Sequence, residues 1–237
     1  MLGNLHQRVL NDLGTHIVSG ALAAGSTMLA EQVEKTHLVS RSVVREAVRV
    51  LQSLGMVETV KRVGIRILPI EQWNLYDPLV IRWRLAQETN GAQLRSLTEL
   101  RSAIEPRAAE LAARHAPEDI AGELLALAAR MRAVGRSGDL ARFLTLDIEF
   151  HTLVLSASGN EMFARLDGVI AEVLTGRTEQ GLMPDHPHEE ALQMHVDVAD
   201  AIQGKRPADA FAAMEQIMDR TFAEVQSIWV AEPRLFL

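Results

Sequence analysis

Along most of the chain, hydrophobic residues recur every three or four positions, a period that predicts amphipathic helices. The first helical segment carries apolar residues at a spacing of four, Leu5, Val9, Leu13 and Ile17. Gly20 stands where this helix would end. A short helix is predicted over residues 29–36 and a third over 41–54, with Ser40 as its N-cap and Gly55 as its terminator. Two helices with a short join predict a helix-turn-helix.

After the third helix the pattern changes to short runs of β-branched residues. The runs 56–60 and 65–68 flank a turn at 61–64 that contains a glycine, as expected for a two-stranded β-ribbon. A ribbon in this position is a wing. Pro69 closes the segment, and no convincing strand alternation follows it.

Helical periods then continue almost to the end of the chain. We predict helices at 79–88, 93–115, 118–134, 139–157, 161–179, 188–203 and 207–230. Seven helices of this length form an antiparallel bundle with room for a ligand between facing helices. The predicted fold is therefore mainly α. It has a winged helix-turn-helix at 1–70, a linker and connecting helix at 71–92, and an all-helical ligand-binding and dimerisation domain at 93–237.

Charge is distributed unevenly between these parts. The net charge of the 237 residues is −7, but residues 1–70 hold eight Lys and Arg against five Asp and Glu, a balance of +3, which leaves −10 for the rest. A basic N-terminal region followed by an acidic remainder favours a protein that binds phosphates at one end only, because clustered cations release counterions from nucleic acid. The alternative is an asymmetry that arose by chance.

The composition also indicates where the protein works. Hydrophobic residues make up 48% of the chain, but charges interrupt every apolar run, so no segment is predicted to span a membrane. There is no cysteine, and the first residues lack a basic region followed by an apolar core. We expect a cytoplasmic protein with no membrane partner.

The third predicted helix carries a basic stripe. Arg41, Arg45 and Arg49 are four residues apart and therefore share one face, while the apolar residues face the other helices. An arginine near the start of a helix in the major groove can donate to O6 and N7 of guanine. The alternative is a solvated helix face that pairs with Glu46.

The same region resembles a known signature. The run SRSVVREAVRVL from Ser40, the following Leu54-Gly55-Met56-Val57 and Gly64 of the wing resemble the DNA-binding motif of GntR-type regulators. The expected contacts to double-stranded operator DNA lie at the start of the helix and in the wing: Ser40, Arg41, Ser42, Arg45, Arg49, Lys61, Arg62 and Gly64. A homodimer would present two such helices to the half-sites of a palindromic operator.

Arg101 is the most informative residue of the helical part. It lies on an apolar stripe with Leu97, Ile104 and Ala108. Burying a guanidinium without a partner costs on the order of several kcal/mol, so Arg101 needs an anion. From the residues alone, a carboxylate of the bundle and the carboxylate of a ligand fit equally well.

Asp147 and His151 are four residues apart and project from the same side of one predicted helix. This spacing allows both to bind one divalent metal, although most such pairs are ordinary side-chain contacts. His195 is a third candidate ligand, because it lies on the apolar face of another predicted helix, where an imidazole needs a partner.

These residues belong to segments that resemble a second family motif. The segments 100–106, 147–151 with 158–160, and 195–202 are similar, in this order, to the FCD effector domain of the FadR subfamily of GntR regulators. The resemblance implies that Arg101 binds a carboxylate and that Asp147, His151 and His195 hold a divalent metal such as Zn, Ni or Mn.

One position departs from the metal-binding members of this family. Ile217 stands where they place another histidine, so three protein ligands remain. Either water or the effector completes the metal site, or the site has lost its metal and keeps His151 and His195 as hydrogen-bond donors.

The sequence is also similar to the galactonate-responsive branch of this family, in the linker around Trp73 and at Arg177. This resemblance implies a sugar acid such as an aldonate, with Arg101 on its carboxylate and Arg177 or Arg220 on hydroxyls or a second anionic group. The alternative for Arg177 and Arg220 is an ordinary surface or salt-bridge arginine.

The expected function is therefore a DNA-binding transcription regulator of sugar-acid catabolism, a repressor that a small carboxylate releases from its operator. Another hydroxy acid or a dicarboxylic acid is the alternative effector. An enzyme with a metal on Asp147, His151 and His195 is disfavoured, because Glu149 would point away from that face and the chain has no phosphate loop, nucleophile elbow or cysteine nucleophile.

Overall fold

The computed structural model describes residues 2–182, 187–230, 232–234 and 236, without the side chains of residues 2–4. The chain forms two compact units. The first reaches to Asn90, and the second extends from Gly91 to Arg234.

The first unit contains three helices, a small sheet and a fourth helix. The elements are α1 (Leu2–Val18), β1 (Thr27–Met28), α2 (Ala30–His37), α3 (Arg41–Ser53), β2 (Val57–Val60), β3 (Gly64–Ile67) and α4 (Pro78–Leu85). The sheet is antiparallel in the order β1-β3-β2. The two predicted strands are present, and β1 is an additional strand of two residues, too short to show a period of its own.

The core of this unit lies between the amphipathic faces of α1 and α3 and the inner face of the sheet. The predicted stripe of α1 is buried at Val9, Leu13 and Ile17, and α3 buries Val44 and Leu51. Because apolar burial is the main stabilising contribution, this packing fixes which face of α3 is left for solvent.

The segment 71–92, predicted as a linker and connecting helix, contains α4, and this helix packs on the first unit. Asp77 caps α4 by accepting a hydrogen bond from the Leu79 backbone N–H at 2.9 Å. Trp83 is buried in the core and its Nε1 donates to Asn11 Oδ1 at 3.2 Å. A Cβ on Gly14 would lie 2.5 Å from the Trp83 ring, so α4 approaches α1 where α1 has no side chain.

The second unit is entirely helical in the residues described. Its helices are α5 (Gly91–His115), α6 (Glu118–Ser137), α7 (Leu140–Ala157), α8 (Glu161–Ala164), α9 (Asp167–Glu179), α10 (Glu189–Gln203) and α11 (Pro207–Trp229). One apolar core joins them, with α5 packed against α7, α10 and α11, and α6 against α7 and α10.

The prediction of a single helix over 161–179 was wrong, because the chain forms two helices there. Asn160 caps α8 by accepting from the backbone of Met162 and Phe163, and α9 starts at Asp167, whose side chain accepts from the Gly168 N–H. Apolar residues keep a helix-like spacing across the bend, so periodicity alone does not show it.

The prediction of a mainly α chain with a winged helix-turn-helix and a helical second domain is confirmed. Among the described residues, no helix is both long and apolar enough to cross a membrane.

Candidate DNA-binding surface and effector cavity

The outer face of α3 is basic and open to solvent. The side chains of Arg45 and Arg49 are 64% and 61% exposed, and Arg41 is exposed at the start of the helix. The opposite face is fixed by the core, so these three guanidinium groups cannot turn inward. The geometry is that of a helix able to present cations to a groove in DNA.

Glu46 lies between two of these arginines. Its Oε1 is 2.9 Å from Arg49 Nη1 and 3.6 Å from Arg45 Nε. The pairing with Glu46 that was considered as an alternative therefore exists. It does not close the surface, because exposed ion pairs of this kind contribute little stability and are screened by salt, so a phosphate or a base can compete for both arginines.

The start of α3 offers hydroxyl groups beside the cations. Ser40, the N-cap, and Ser42 are exposed, and their Oγ atoms lie 2.8 Å apart. The N–H groups of Val43 and Val44 donate to the Ser40 carbonyl oxygen. The N–H groups of the first two helical residues have no acceptor within the helix, so this end of α3 can receive a phosphate oxygen.

The wing places its two cations at the tip of the β2–β3 turn. Lys61 and Arg62 are exposed, and Arg62 adopts a left-handed conformation with φ of 64°. Gly64 has a reason to be glycine that is independent of DNA. Its φ is 122°, and a Cβ there would lie 2.6 Å from the carbonyl oxygen of Met28, which would separate β1 from β3.

A cavity in the second unit is lined by every residue predicted to bind an effector. These residues are Arg101, Asp147, His151, Arg177, His195 and Arg220. Free space of about 550 Å³, its open mouth included, lies among α5, α7, α9, α10 and α11. Ile217, Thr221 and Glu224 also line it.

Arg101 is buried at 1% exposure and meets a carboxylate of its own helix. Its Nε donates to Glu105 Oε1 at 2.5 Å, and its Nη2 lies 3.3 Å from Glu105 Oε2. Glu105 Oε2 is also 2.6 Å from His151 Nδ1. A carboxylate of the bundle thus satisfies one side of the guanidinium, and the sequence analysis did not place Glu105 in the site. Its spacing of four from Arg101 is the signal that could have found it.

Asp147, His151 and His195 lie together at one end of this network. Asp147 Oδ1 is 3.4 Å from His151 Nε2 and 3.3 Å from His195 Nε2. His195 Nδ1 donates to the carbonyl oxygen of Ala191 at 2.8 Å. The Nδ1 atom of each imidazole is therefore held by an acceptor, and each Nε2 faces the same carboxylate.

Burial and opposite charges set the ionisation of this cluster. Burial raises the pKa of Glu105, but the charges of Arg101 and His151 outweigh it and bring that pKa to about 2. Burial lowers the pKa of His151, but Glu105 and Asp147 raise it to about 9. Burial raises the pKa of Asp147, but the imidazoles of His151 and His195 outweigh it and hold that pKa well below its usual range. At neutral pH both carboxylates are charged and His151 is protonated.

Two guanidinium groups of the cavity keep a buried nitrogen without a partner among the described residues. They are Nη1 of Arg101 and Nε of Arg177. His195 Nε2 is also buried, and its approach to Asp147 lacks hydrogen-bond geometry. Since an unsatisfied buried donor costs about 1–3 kcal/mol, the two guanidinium nitrogens mark a place where a ligand with oxygen acceptors is favoured.

Arg177 and Arg220 share one carboxylate, which is the salt-bridge alternative considered for both. Glu224 Oε2 is 3.2 Å from Arg177 Nη2, and its Oε1 is 2.9 Å from Arg220 Nε. Thr221 Oγ1 lies 3.5 Å from Arg177 Nη1. Burial lowers the pKa of Arg177, and the charge of Arg101 lowers it further. The sequence analysis missed Glu224, although its spacing of four from Arg220 is visible, and Thr221 has no comparable signal.

The profiles of two protein families match this chain. The FCD domain family matches residues 96–220, which is more than half of the chain, and the bacterial regulatory proteins of the gntR family match residues 5–67. The chain belongs to the GntR family of bacterial transcription regulators. The resemblance seen in the sequence is confirmed, and so is the expectation that the chain is not an enzyme. Its first unit is a DNA-binding domain and its second holds an effector-binding domain.

Several known proteins are similar over most of this GntR regulator. The galactonate operon transcriptional repressor of Escherichia coli K12 is 27% identical over 84% of this chain and 87% of its own. A probable D-xylose utilization operon transcriptional repressor of Paenarthrobacter nicotinovorans is 27% identical over 81% of this chain and 75% of its own. The solved structure of Streptococcus agalactiae GntR covers 96% of this chain and all of its own at 24% identity, with a TM-score of 0.52, which shows the shared fold.

Proposed function

We propose that this GntR regulator is a dimeric repressor of sugar-acid catabolism, released from its operator when a small carboxylate such as an aldonate enters the cavity. The observation that carries the effector class is the pair of unpartnered guanidinium nitrogens on Arg101 and Arg177. Arg101 offers a charged donor to a carboxylate, and Arg177 offers a second donor in the same cavity. The galactonate repressor among its relatives supports a sugar acid.

The first unit would read the operator through the start of α3 and through the wing. The proposed contacts are Ser40, Arg41, Ser42, Arg45, Arg49, Lys61, Arg62 and Gly64. Arg45 is the strongest candidate for a base contact, because it is exposed one turn into α3 and has only a half-exposed carboxylate as a neighbour. Lys61 and Arg62 fit phosphate contacts, which fix the register of the protein on the duplex.

Replacing Arg45 with alanine should weaken operator binding by about 1–3 kcal/mol, or roughly 5- to 150-fold, if it contacts a base. The change is measured by fluorescence anisotropy with a labelled fragment of the promoter region of the protein's own operon. Arg130→Ala is the matched control, since it removes the same charge from an exposed position in α6. Equal operator affinities of the two variants would exclude the base contact.

Release from DNA requires only a modest preference of the effector for one arrangement of the dimer. A tenfold change in operator affinity corresponds to about 1.4 kcal/mol. A charge-assisted hydrogen bond between a carboxylate and a buried guanidinium contributes about 1.5–3 kcal/mol.

A thermal-shift screen over aldonates, uronates, hydroxy acids and dicarboxylates tests the effector class. If only dicarboxylates stabilise the protein, a dicarboxylate replaces the sugar acid as the proposed effector.

The proposal includes a divalent cation, Zn, Ni or Mn, on Asp147, His151 and His195. Their ligand atoms lie within 4.8 Å of one another in a buried cluster. The donor set fits such an ion, because the acceptors on both Nδ1 atoms leave each Nε2 for the cation. Ile217 lines the cavity and supplies no ligand, so the remaining positions fall to water or effector. When bound, the cation would add positive charge that attracts a carboxylate.

Adding Zn²⁺, Ni²⁺ or Mn²⁺ to chelator-treated protein should raise its melting temperature, because an ion that binds only the folded state stabilises it. Binding should also release a proton, because His151 is protonated at neutral pH and a ligand imidazole is not. His195→Gln should abolish the shift, whereas His115→Gln, at an exposed histidine of α5, should preserve it. If no ion shifts the parent, the two imidazoles serve only as hydrogen-bond donors.

A further inference from the structure

Among the described residues that line the cavity, Glu224 is the one acidic side chain that does not belong to the buried cluster around Asp147. It projects from α11, its side chain is 34% exposed, and it bridges Arg177 and Arg220. Glu190 also approaches Arg220, at 3.8 Å, but is 86% exposed and is not part of the cavity lining.

The carboxylate of Glu224 has capacity left for a ligand. Two carboxylate oxygens offer about four acceptor positions, and the contacts to Arg177 and Arg220 use one on each oxygen. The side chain is partly exposed and lines the cavity, so a ligand there can reach the open positions.

The free nitrogen of Arg177 lies in the same lining. Nε of Arg177 is a buried donor without a partner, while Glu224 is an acceptor with room for more. A hydroxyl group satisfies both, because it donates one hydrogen bond and accepts others. A carboxylate accepts from Arg177 but cannot donate to Glu224, and it brings a like charge next to it.

We propose that Glu224 is a specificity-determining residue of the effector cavity, which admits polyhydroxy monocarboxylates and rejects dicarboxylates of the same chain length. The inference rests on the proposed function, since it takes the ligand carboxylate to be held by Arg101. The acid end of the ligand then meets Arg101, and its hydroxyl end meets the pair of Arg177 and Glu224.

A six-carbon aldonate and the aldarate of the same configuration test this role, because they differ only in a terminal hydroxymethyl or carboxylate group. Isothermal titration of the full-length parent should show at least about tenfold tighter binding of the aldonate, since hydrogen bonds to charged groups contribute on this scale. Glu224→Gln should reduce this preference at least about tenfold, because it should weaken the binding of the aldonate and strengthen the binding of the aldarate. Glu190→Gln, the matched control beside Arg220, should leave the preference unchanged.

The outcomes separate this inference from the function on which it rests. A parent that binds both acids equally overturns the role of Glu224 and leaves the sugar-acid effector intact. So does a Glu224→Gln variant that binds both more tightly by the same factor, because Glu224 would then only compete with the ligand for Arg177. A parent that binds neither acid and still binds its operator overturns the proposed effector class, and the inference with it. The unfolding transition of each variant, followed by circular dichroism, checks that the fold is retained.

Discussion

Glu105→Ala should lower the free energy of unfolding by about 3–5 kcal/mol, the effect of removing one partner from a buried ion pair. Glu105 is fully buried and accepts from both Arg101 and His151. Without its carboxylate, the Arg101 guanidinium would lie buried without a counter-charge, and His151 would lose the strongest influence that keeps its pKa high. Asp147 could compensate His151 only in part, because it is already shared with His195.

Urea denaturation of the effector-free protein, followed by circular dichroism, measures this change. Glu99→Ala is the control on the same helix. Glu99 pairs with Arg234 at 2.8 Å, but both side chains are exposed, so solvent screens the pair and its loss should matter far less. If the two variants unfold at the same urea concentration with the same slope, the buried network does not stabilise the fold.

Arg101→Lys should retain the folded protein and lose the response to the effector. The ammonium of lysine keeps a positive charge beside Glu105, whereas it lacks the planar fork that leaves Nη1 free for a ligand. Affinity for the effector should fall by more than about tenfold, the equivalent of one charge-assisted hydrogen bond. Alanine at this position is a poorer test, because it would leave Glu105 buried without its guanidinium.

The measurement is the effector-dependent rise in melting temperature, together with operator binding in the absence of effector. Operator affinity should equal that of the parent, since Arg101 lies in the second unit. Arg165→Lys makes the same substitution at an exposed position and should respond normally. A full melting shift in the Arg101 variant would remove this residue from the ligand site.

The sequence predicts best what depends on local periodicity. The exposed stripe of Arg41, Arg45 and Arg49 follows from a spacing of four on a helix whose other face is apolar. The short strand β1 could not be predicted this way, because two residues have no period and β1 forms only by pairing with β3. The break between α8 and α9 was missed for a related reason, since the apolar spacing continues through it.

The six residues predicted to bind an effector all line the cavity, but their connections through Glu105 and Glu224 were not predicted. Arg101 was expected to need an anion, and the sequence left open whether the bundle or a ligand would supply it. The structure provides Glu105 on one side of the guanidinium and leaves Nη1 without a partner. The contact between Arg101 and Glu105 has a local signal in their spacing of four, whereas the approach of His151 to Glu105 depends on the packing of α5 against α7, which no periodicity in the chain encodes.

The docking of α4 on the first unit restricts how a signal can pass along the chain. Because Trp83 packs α4 against α1, the linker between the DNA-binding and effector-binding domains consists only of residues 86–90. Five residues reach at most about 18 Å when fully extended, and a hydrogen bond from Asn90 to the Leu85 carbonyl shortens this stretch further. A short linker therefore joins the two domains, and inserting glycines into it should widen the range of half-site spacings that the proposed dimer accepts.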